Sequence, residues 1–178
     1  RVKLLYLIPT FQNPSGVTMS LPKRKTVYEL CRRHGVMILE DNPYGELRFS
    51  GEDVPCIKSL DTDGLVIYCG SFSKILSPGI RLGFVSAPAQ VIKKLVVAKQ
   101  VSDVHTNIFF QMLADEYLSR YDLDAHIARI RALYREKFLA MRGAAGRYFP
   151  ESARLTSPDG GIFLWCSLPG GTDVMALC

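Results

Sequence analysis

The chain has 178 residues, 48% of them hydrophobic and 22% charged, with a formal net charge of +5. This composition predicts a globular protein with a sizeable core. The sequence contains no internal repeat and no low-complexity segment. The five cysteines form no C-x-x-C pair, and no apolar run approaches the about 20 residues of a bilayer span, so we expect a cytoplasmic protein with no membrane partner and no zinc site.

The positive charge would suit an anionic partner, and "PKRK" at 22–25 is the densest basic stretch. However, the basic residues here and in "ARIRALYREKFLAMR" alternate with apolar residues at helical spacing, which favours solvated helix faces. No nucleic-acid motif accompanies them. We therefore expect nucleic acid to be a partner only if a DNA-binding domain is fused outside this stretch of sequence.

The first half of the chain predicts strands that alternate with a helix and loops. "VKLLYLIP" is an apolar run ended by proline, and "FQNPSG" is a turn. Ser20 can cap a helix that runs to about His34, where Gly35 ends it. The runs "VMILED", "GLVIYCG" and "LGFVSAP" predict three further strands. This order predicts an α/β fold with a mostly parallel sheet and flanking helices.

From Ala89 onward the sequence predicts three helices, at about 89–101, 107–119 and 123–146. The third has an apolar stripe expected to be buried, at Ile127, Ile130, Tyr134, Phe138 and Met141. "ARLTSPDGGIFLWCSLP" then predicts two short strands around a turn. We expect two partial domains: a large one at 1–145 that includes the long helix, and a small α+β C-terminal one at 146–178.

Polar side chains follow the first three predicted strands, where ligands bind to open parallel sheets. They are Asn13, then Asp41 and Tyr44, then Ser71, Ser73, Lys74 and Arg81. Taken singly, each has an ordinary explanation: a turn residue, a loop cap, a half-buried aromatic ring or a solvated charge. Their shared edge of the sheet is the reason to consider them together.

Together these residue types match the needs of pyridoxal phosphate. A lysine amine forms a Schiff base with an aldehyde, and two hydroxyls with a guanidinium suit a phosphate dianion. An aspartate can keep the pyridine ring protonated, and Asn13 with Tyr44 can hold its phenolate oxygen. A nucleotide P-loop is disfavoured because no G-x-x-x-x-G-K-[ST] is present. The three histidines show no metal-ligand spacing, so we expect no metal.

Four segments, "QNPSG", "EDNPYGELRF", "GSFSKILSPGIRLGF" and "DGGIFLW", resemble in order those of the fold type I pyridoxal-phosphate enzymes, class I/II aminotransferases. The nearest group is that of the 2-aminoadipate and kynurenine aminotransferases, a module also fused to winged-helix regulators of the GntR/MocR type. The resemblance implies part of the large domain of that fold and part of its small domain. Segments of the family that precede and follow these four are missing, so we expect a fragment, inactive by itself.

The resemblance also implies roles. Lys74 would form the Schiff base and move the proton at the substrate Cα, Asp41 would pair with the pyridine nitrogen, and Asn13 and Tyr44 would contact the 3′ oxygen. Ser71, Ser73 and Arg81 would hold the phosphate. Gly160 and Gly161 either let backbone approach the substrate or form a hairpin turn, and Asn42, where relatives often have aspartate, is not expected to disturb Asp41. His105 receives no role.

The activity implied is amino-group transfer between an amino acid and a 2-oxo acid, in a homodimer. Two alternatives stay open. The same fold could sense an amino acid for a GntR/MocR-type regulator without turnover, or it could catalyse another reaction of fold type I enzymes, such as that of a β-lyase.

Overall fold

The computed structural model describes residues 2–177, and within this range the first half of the chain forms a four-stranded sheet. Its strands, in spatial order, are β1 (Leu4–Leu7), β2 (Met37–Asn42), β3 (Val66–Ser71) and β4 (Gly83–Ser86). The first three are parallel, and β4 pairs antiparallel with β3. The predicted mostly parallel α/β layer is confirmed.

Helix α1 (Leu21–His34) covers one face of this sheet. Side chains from α1, β2, β3 and the loop between the two strands form a buried apolar cluster, which contains Tyr28, Cys31, Ile38, Ile57 and Val66. Gly35 ends the helix in the left-handed conformation, at φ 59°, as its sequence position predicts. Ser20 occupies the N-cap position as expected, but its side chain makes no capping hydrogen bond.

The prediction that the basic residues of "PKRK" are solvated is wrong for Arg24. Its side chain is fully buried, and it donates hydrogen bonds to the main-chain oxygen of Pro9 after β1 and to that of Pro55 in the loop that precedes residue 57. Its neighbours Lys23 and Lys25 are exposed, as predicted. Burial is possible because carbonyl acceptors surround the guanidinium.

The second half contains α2 (Ala89–Ser102), α3 (Ile108–Arg120) and α4 (Leu123–Tyr148), followed by the antiparallel pair β5 (Arg154–Leu155) and β6 (Cys166–Ser167). These elements agree with the predicted ones. The division at 145/146 stays a prediction. Between residues 2 and 177, no helix combines the length and apolarity that crossing a membrane requires.

The predicted stripe of α4 is buried at one end only. Ile127 is 5% exposed, and Ile130 and Tyr134 pack against the same cluster. Phe138 lies against Phe49, with ring centroids 5.3 Å apart. The expectation that Met141 is buried is wrong, since it is 62% exposed. Burial resumes further along the helix at Ala145, which is 6% exposed, so the exposure of Met141 is local.

Candidate active site

The loops that follow β1, β2 and β3 share one hydrophobic cluster. Each loop contributes to it, and α4 closes it; the buried members are Phe11, Tyr44, Leu47, Ile75 and Ile127. Asn13 lies two residues beyond a member of the cluster, and Lys74 directly precedes another. Apolar packing therefore positions the loops that carry the polar residues predicted for the site.

Lys74 lies in a compact turn after β3. The amides of Ile75 and Leu76 donate to the Phe72 carbonyl oxygen at 3.3 and 2.8 Å, and His126 of α4 donates from Nε2 to the Ile75 carbonyl oxygen at 2.9 Å. The Lys74 side chain is half-buried, and among residues 2–177 its amine has no hydrogen-bond or ion-pair partner. An ordered loop thus presents an amine that is available to a bound molecule.

Hydrogen-bond donors flank Lys74 on both sides in sequence. Ser71 Oγ accepts the Ser73 amide at 3.1 Å, which leaves the Ser71 hydroxyl proton to donate elsewhere. Gly83 at the start of β4 pairs with Ser71 at the end of β3, and Arg81 lies two residues before Gly83. Arg81 has φ 55°, uncommon for a residue other than glycine, and such strain clusters at functional sites. Its exposed guanidinium donates to the Pro78 carbonyl oxygen at 3.2 Å.

Asn13 and Tyr44 lie on different loops, and the structure brings them together. The Asn13 side chain hydrogen-bonds the Tyr44 hydroxyl. Tyr44 is buried, with its ring edge-on to Phe163 at 5.3 Å between centroids. Burial raises the pKa of Tyr44, the Asn13 hydrogen bond opposes that rise, and the charge of Asp41 adds to it. The phenol therefore keeps its proton at neutral pH, so it can donate to a bound oxygen.

Asp41 lies near the end of β2, on the sheet face opposite α1. Successive strand residues point to opposite faces, and Asn42 accordingly points the other way, where its Nδ2 donates to the Tyr68 hydroxyl at 2.8 Å. Asp41 Oδ2 accepts a hydrogen bond from the Tyr6 hydroxyl at 2.7 Å. Asn42 thus points away from the Asp41 carboxylate, and the role of Asp41 stays a prediction.

Neither Tyr6 nor His126 is among the predicted site residues. The structure gives His126 a structural role, since it fixes the loop that carries Lys74. No local pattern predicts this contact, because Ile75 lies 51 residues away. The position of Tyr6 could have been found from the alternation of side chains along β1. Leu5 and Leu7 pack with the α1 cluster, so Tyr6 between them faces the opposite side of the sheet, where Asp41 lies.

Gly160 and Gly161 pack against the protein. A Cβ on Gly160 would lie 2.3 Å from Phe11 Cζ, and the Gly161 amide, at φ 78°, donates to the Leu47 carbonyl oxygen at 3.0 Å. This packing explains both glycines, and backbone contact with a substrate stays a prediction. His105 is exposed, and its Nδ1 contacts the Thr106 carbonyl oxygen at 3.1 Å.

The donor set fits pyridoxal phosphate. An amine with no partner among residues 2–177, hydroxyl and guanidinium donors, a carboxylate and an amide–phenol pair all lie at or near the carboxyl ends of the three parallel strands. These are the kinds of group that an aldehyde, a phosphate, a pyridine nitrogen and a ring oxygen require. The individual roles of the predicted residues stay predictions.

Comparison with known proteins gives matches across almost the entire chain. A family model described as aminotransferase class I and II matches residues 2–176. The chain is 48% identical over 173 residues to aromatic-amino-acid aminotransferase 1 of Thermococcus litoralis, covering 97% of this chain and 42% of that protein. It is 42% identical over 180 residues to 2-aminoadipate transaminase of Thermus thermophilus, covering 99% of this chain and 45% of that protein. The crystal structure of Pyrococcus horikoshii kynurenine aminotransferase in complex with PMP superposes with a TM-score of 0.96 at 44% identity, over 99% of this chain and 44% of that one.

The chain thus spans less than half the length of these relatives. A relative of another kind is the uncharacterized HTH-type transcriptional regulator YisV of Bacillus subtilis, 34% identical over 163 residues, which covers 92% of this chain and 34% of that protein. The matched segment therefore occurs both in proteins named as enzymes and in one named as a regulator.

Proposed function

Because this chain belongs to the class I and II aminotransferases, we propose that the protein transfers an amino group from an amino acid to a 2-oxo acid, with pyridoxal phosphate as its cofactor. The observation that carries the proposal is the loop after β3, where Lys74 has an amine without a partner among residues 2–177 and lies in sequence between two serines and Arg81. The matches to enzymes of this family support the same reaction class.

When bound, pyridoxal phosphate supplies an aldehyde carbon and a protonated ring that draws electrons from the substrate. Lys74 Nζ would hold the cofactor at that aldehyde carbon, and as a neutral amine it would take and return the proton at the substrate Cα. The Ser71 and Ser73 hydroxyls would donate to the phosphate. Arg81 would add charge-assisted hydrogen bonds to it.

The residues after β1 and β2 would orient the ring. Asp41 would accept a hydrogen bond from the protonated ring nitrogen, and its negative charge would favour the protonated form of that nitrogen. Asn13 and Tyr44 would both donate to the ring oxygen. Their side chains already contact each other, so both donors could reach the same oxygen. Asp41 would thus fix the ring at its nitrogen, and the Asn13–Tyr44 pair would fix it at its oxygen.

Substrates, assembly and location are further parts of the proposal. The names of the relatives suggest three amino donors: an aromatic amino acid, kynurenine and 2-aminoadipate. The family resemblance supports a homodimer. The scattered cysteines support a reducing, cytoplasmic setting.

The test uses the full-length protein loaded with pyridoxal phosphate. Glutamate formation from 2-oxoglutarate is measured with phenylalanine, kynurenine or 2-aminoadipate as donor. Lys74→Ala should lower the rate by a factor on the order of a thousand. Lys94→Ala, an exposed lysine of α2, should leave it unchanged. Borohydride reduction should attach the cofactor to Lys74, and attachment to a different lysine would overturn the assignment.

A regulator without turnover is the second candidate, supported by the match to YisV. In that case the wild-type protein would hold the cofactor on Lys74 and form no glutamate with any donor. A β-lyase would instead release ammonia and pyruvate from a suitable amino acid. Glutamate formation therefore identifies an aminotransferase, and an assay for pyruvate and ammonia on the same protein separates a β-lyase from a regulator without turnover.

A further inference from the structure

Tyr6 lies on β1 at a position from which its hydroxyl reaches the Asp41 carboxylate. The parallel register pairs Tyr6 with Leu39, so Asp41 lies two residues further along the same face of β2. That diagonal spans about 8 Å between Cα atoms, given the strand rise and the strand spacing. Only a long, rigid side chain covers it, and the Tyr6 hydroxyl donates to Asp41 Oδ2 at 2.7 Å.

The hydrogen bond engages one carboxylate oxygen and leaves the other available. Among residues 2–177, no hydrogen bond reaches Asp41 Oδ1. On the other side of Asp41, β3 places Cys69 directly opposite, and a thiol is only a weak donor. Tyr6 is thus the strong donor to this carboxylate. The hydrogen bond to Asp41, with smaller contributions from burial and nearby charge, raises the pKa of Tyr6 to about 12, so the phenol stays protonated at neutral pH.

The hydrogen bond contributes little to the core. Tyr6 is 54% exposed and belongs to neither buried cluster of the described residues. Its neighbours Leu5 and Leu7 point to the opposite face and pack with the α1 cluster. A partly exposed hydrogen bond of this kind stabilises a fold only slightly, so its main effect is on the orientation of the carboxylate.

We propose that Tyr6 is a positioning residue, which holds Asp41 Oδ2 so that Oδ1 faces the pyridine nitrogen of the bound cofactor. This inference rests on the proposed function. Without the phenol, the Asp41 side chain would sample other rotamers, and part of the binding free energy of the ring would be spent on ordering it.

The test measures cofactor affinity in the full-length protein by titrating the apo form with pyridoxal phosphate. Tyr6→Phe keeps the ring and removes the hydroxyl, and the dissociation constant should rise by about three- to tenfold, as expected for a hydrogen bond to a charged group at a partly exposed site. In an Asp41→Ala background the same substitution should change the constant by less than about twofold, because Tyr6 acts through Asp41.

Tyr28→Phe is the matched control. It removes another tyrosine–aspartate hydrogen bond, 2.8 Å long to Asp63, on the α1 side of the sheet. It should lower the urea midpoint and leave the dissociation constant unchanged. Tyr6→Phe should instead raise the dissociation constant and leave the urea midpoint nearly unchanged. An equal effect of Tyr6→Phe in both backgrounds, or no effect in either, would overturn the role of Tyr6. Failure of the wild-type protein to bind pyridoxal phosphate would instead overturn the proposed function as well.

Discussion

Replacing Arg24 by leucine is expected to destabilise the protein by about 3–5 kcal/mol. The guanidinium is fully buried and donates to five acceptors, four of them main-chain carbonyl oxygens: Pro9, Met19, Val54 and Pro55, with the Thr10 hydroxyl as the fifth. Leucine would fill part of the space and donate no hydrogen bond.

The magnitude follows from the groups left behind. Each buried acceptor that loses its donor costs about 1–3 kcal/mol, and relaxation of the loops with entry of water recovers part of the sum. Burial lowers the pKa of Arg24 while the charge of the buried Glu40 opposes this, so the substitution also removes a favourable charge interaction. Arg24→Lys keeps the charge with fewer donors, and we expect it to cost about 1–2 kcal/mol.

The free energy of unfolding would be measured by urea denaturation of the wild type and both variants. Lys25→Leu is the control, because Lys25 is exposed on the same helix, and it should change stability by less than about 0.5 kcal/mol. Arg24 also bonds to Pro9 and Thr10, just before the loop that carries Asn13, so Arg24→Leu should weaken pyridoxal phosphate binding too. An Arg24→Leu protein within about 1 kcal/mol of wild type would refute the reasoning.

Three other predictions concern titration and packing. The Tyr6 phenol should titrate near pH 12 in tyrosine absorbance or NMR, and Asp41→Ala should bring its pKa back toward 10. Because the pKa is higher in the folded state, the stabilisation of the fold by this phenol is complete below about pH 10 and is lost as pH rises through about 12. Burial tends to raise the pKa of Asp61, but hydrogen bonds from two backbone amides and a lysine lower it to about 2, so its stabilisation is present above about pH 4 and lost as pH falls through about 2. Asp61→Asn should flatten this acid dependence of the urea midpoint, and an unchanged slope would contradict the assignment. Gly160→Ala sets a Cβ against Phe11 and should destabilise the protein by about 1–3 kcal/mol in the same urea measurement. A Cβ on Gly146 would meet no atom within 4 Å among the described residues outside its own stretch of helix, so Gly146→Ala should stabilise α4 by up to about 1 kcal/mol.

Local patterns predicted most of the elements and the approximate place of the site. Gly35 ends α1 because a glycine adopts the left-handed conformation without steric cost. The apolar runs that became β1, β2 and β3 are short and bounded by turn residues, and parallel strands bring the loops that follow them to one edge. Prediction failed at Arg24 and Met141, because exposure depends on what lies opposite a side chain, and helical spacing carries no information about that.

The sequence by itself determined that Lys74 lies in a loop rich in hydroxyls after an apolar strand, and that Asn13, Asp41 and Tyr44 lie at or just beyond the ends of two other apolar strands. These are properties of residue type and short spacing. Only the tertiary structure decided that Asn13 touches Tyr44, that His126 holds the lysine loop 51 residues away, and that Tyr6 hydrogen-bonds Asp41 across 35 residues. Such contacts depend on strand register and on the packing of distant segments, which no local pattern encodes.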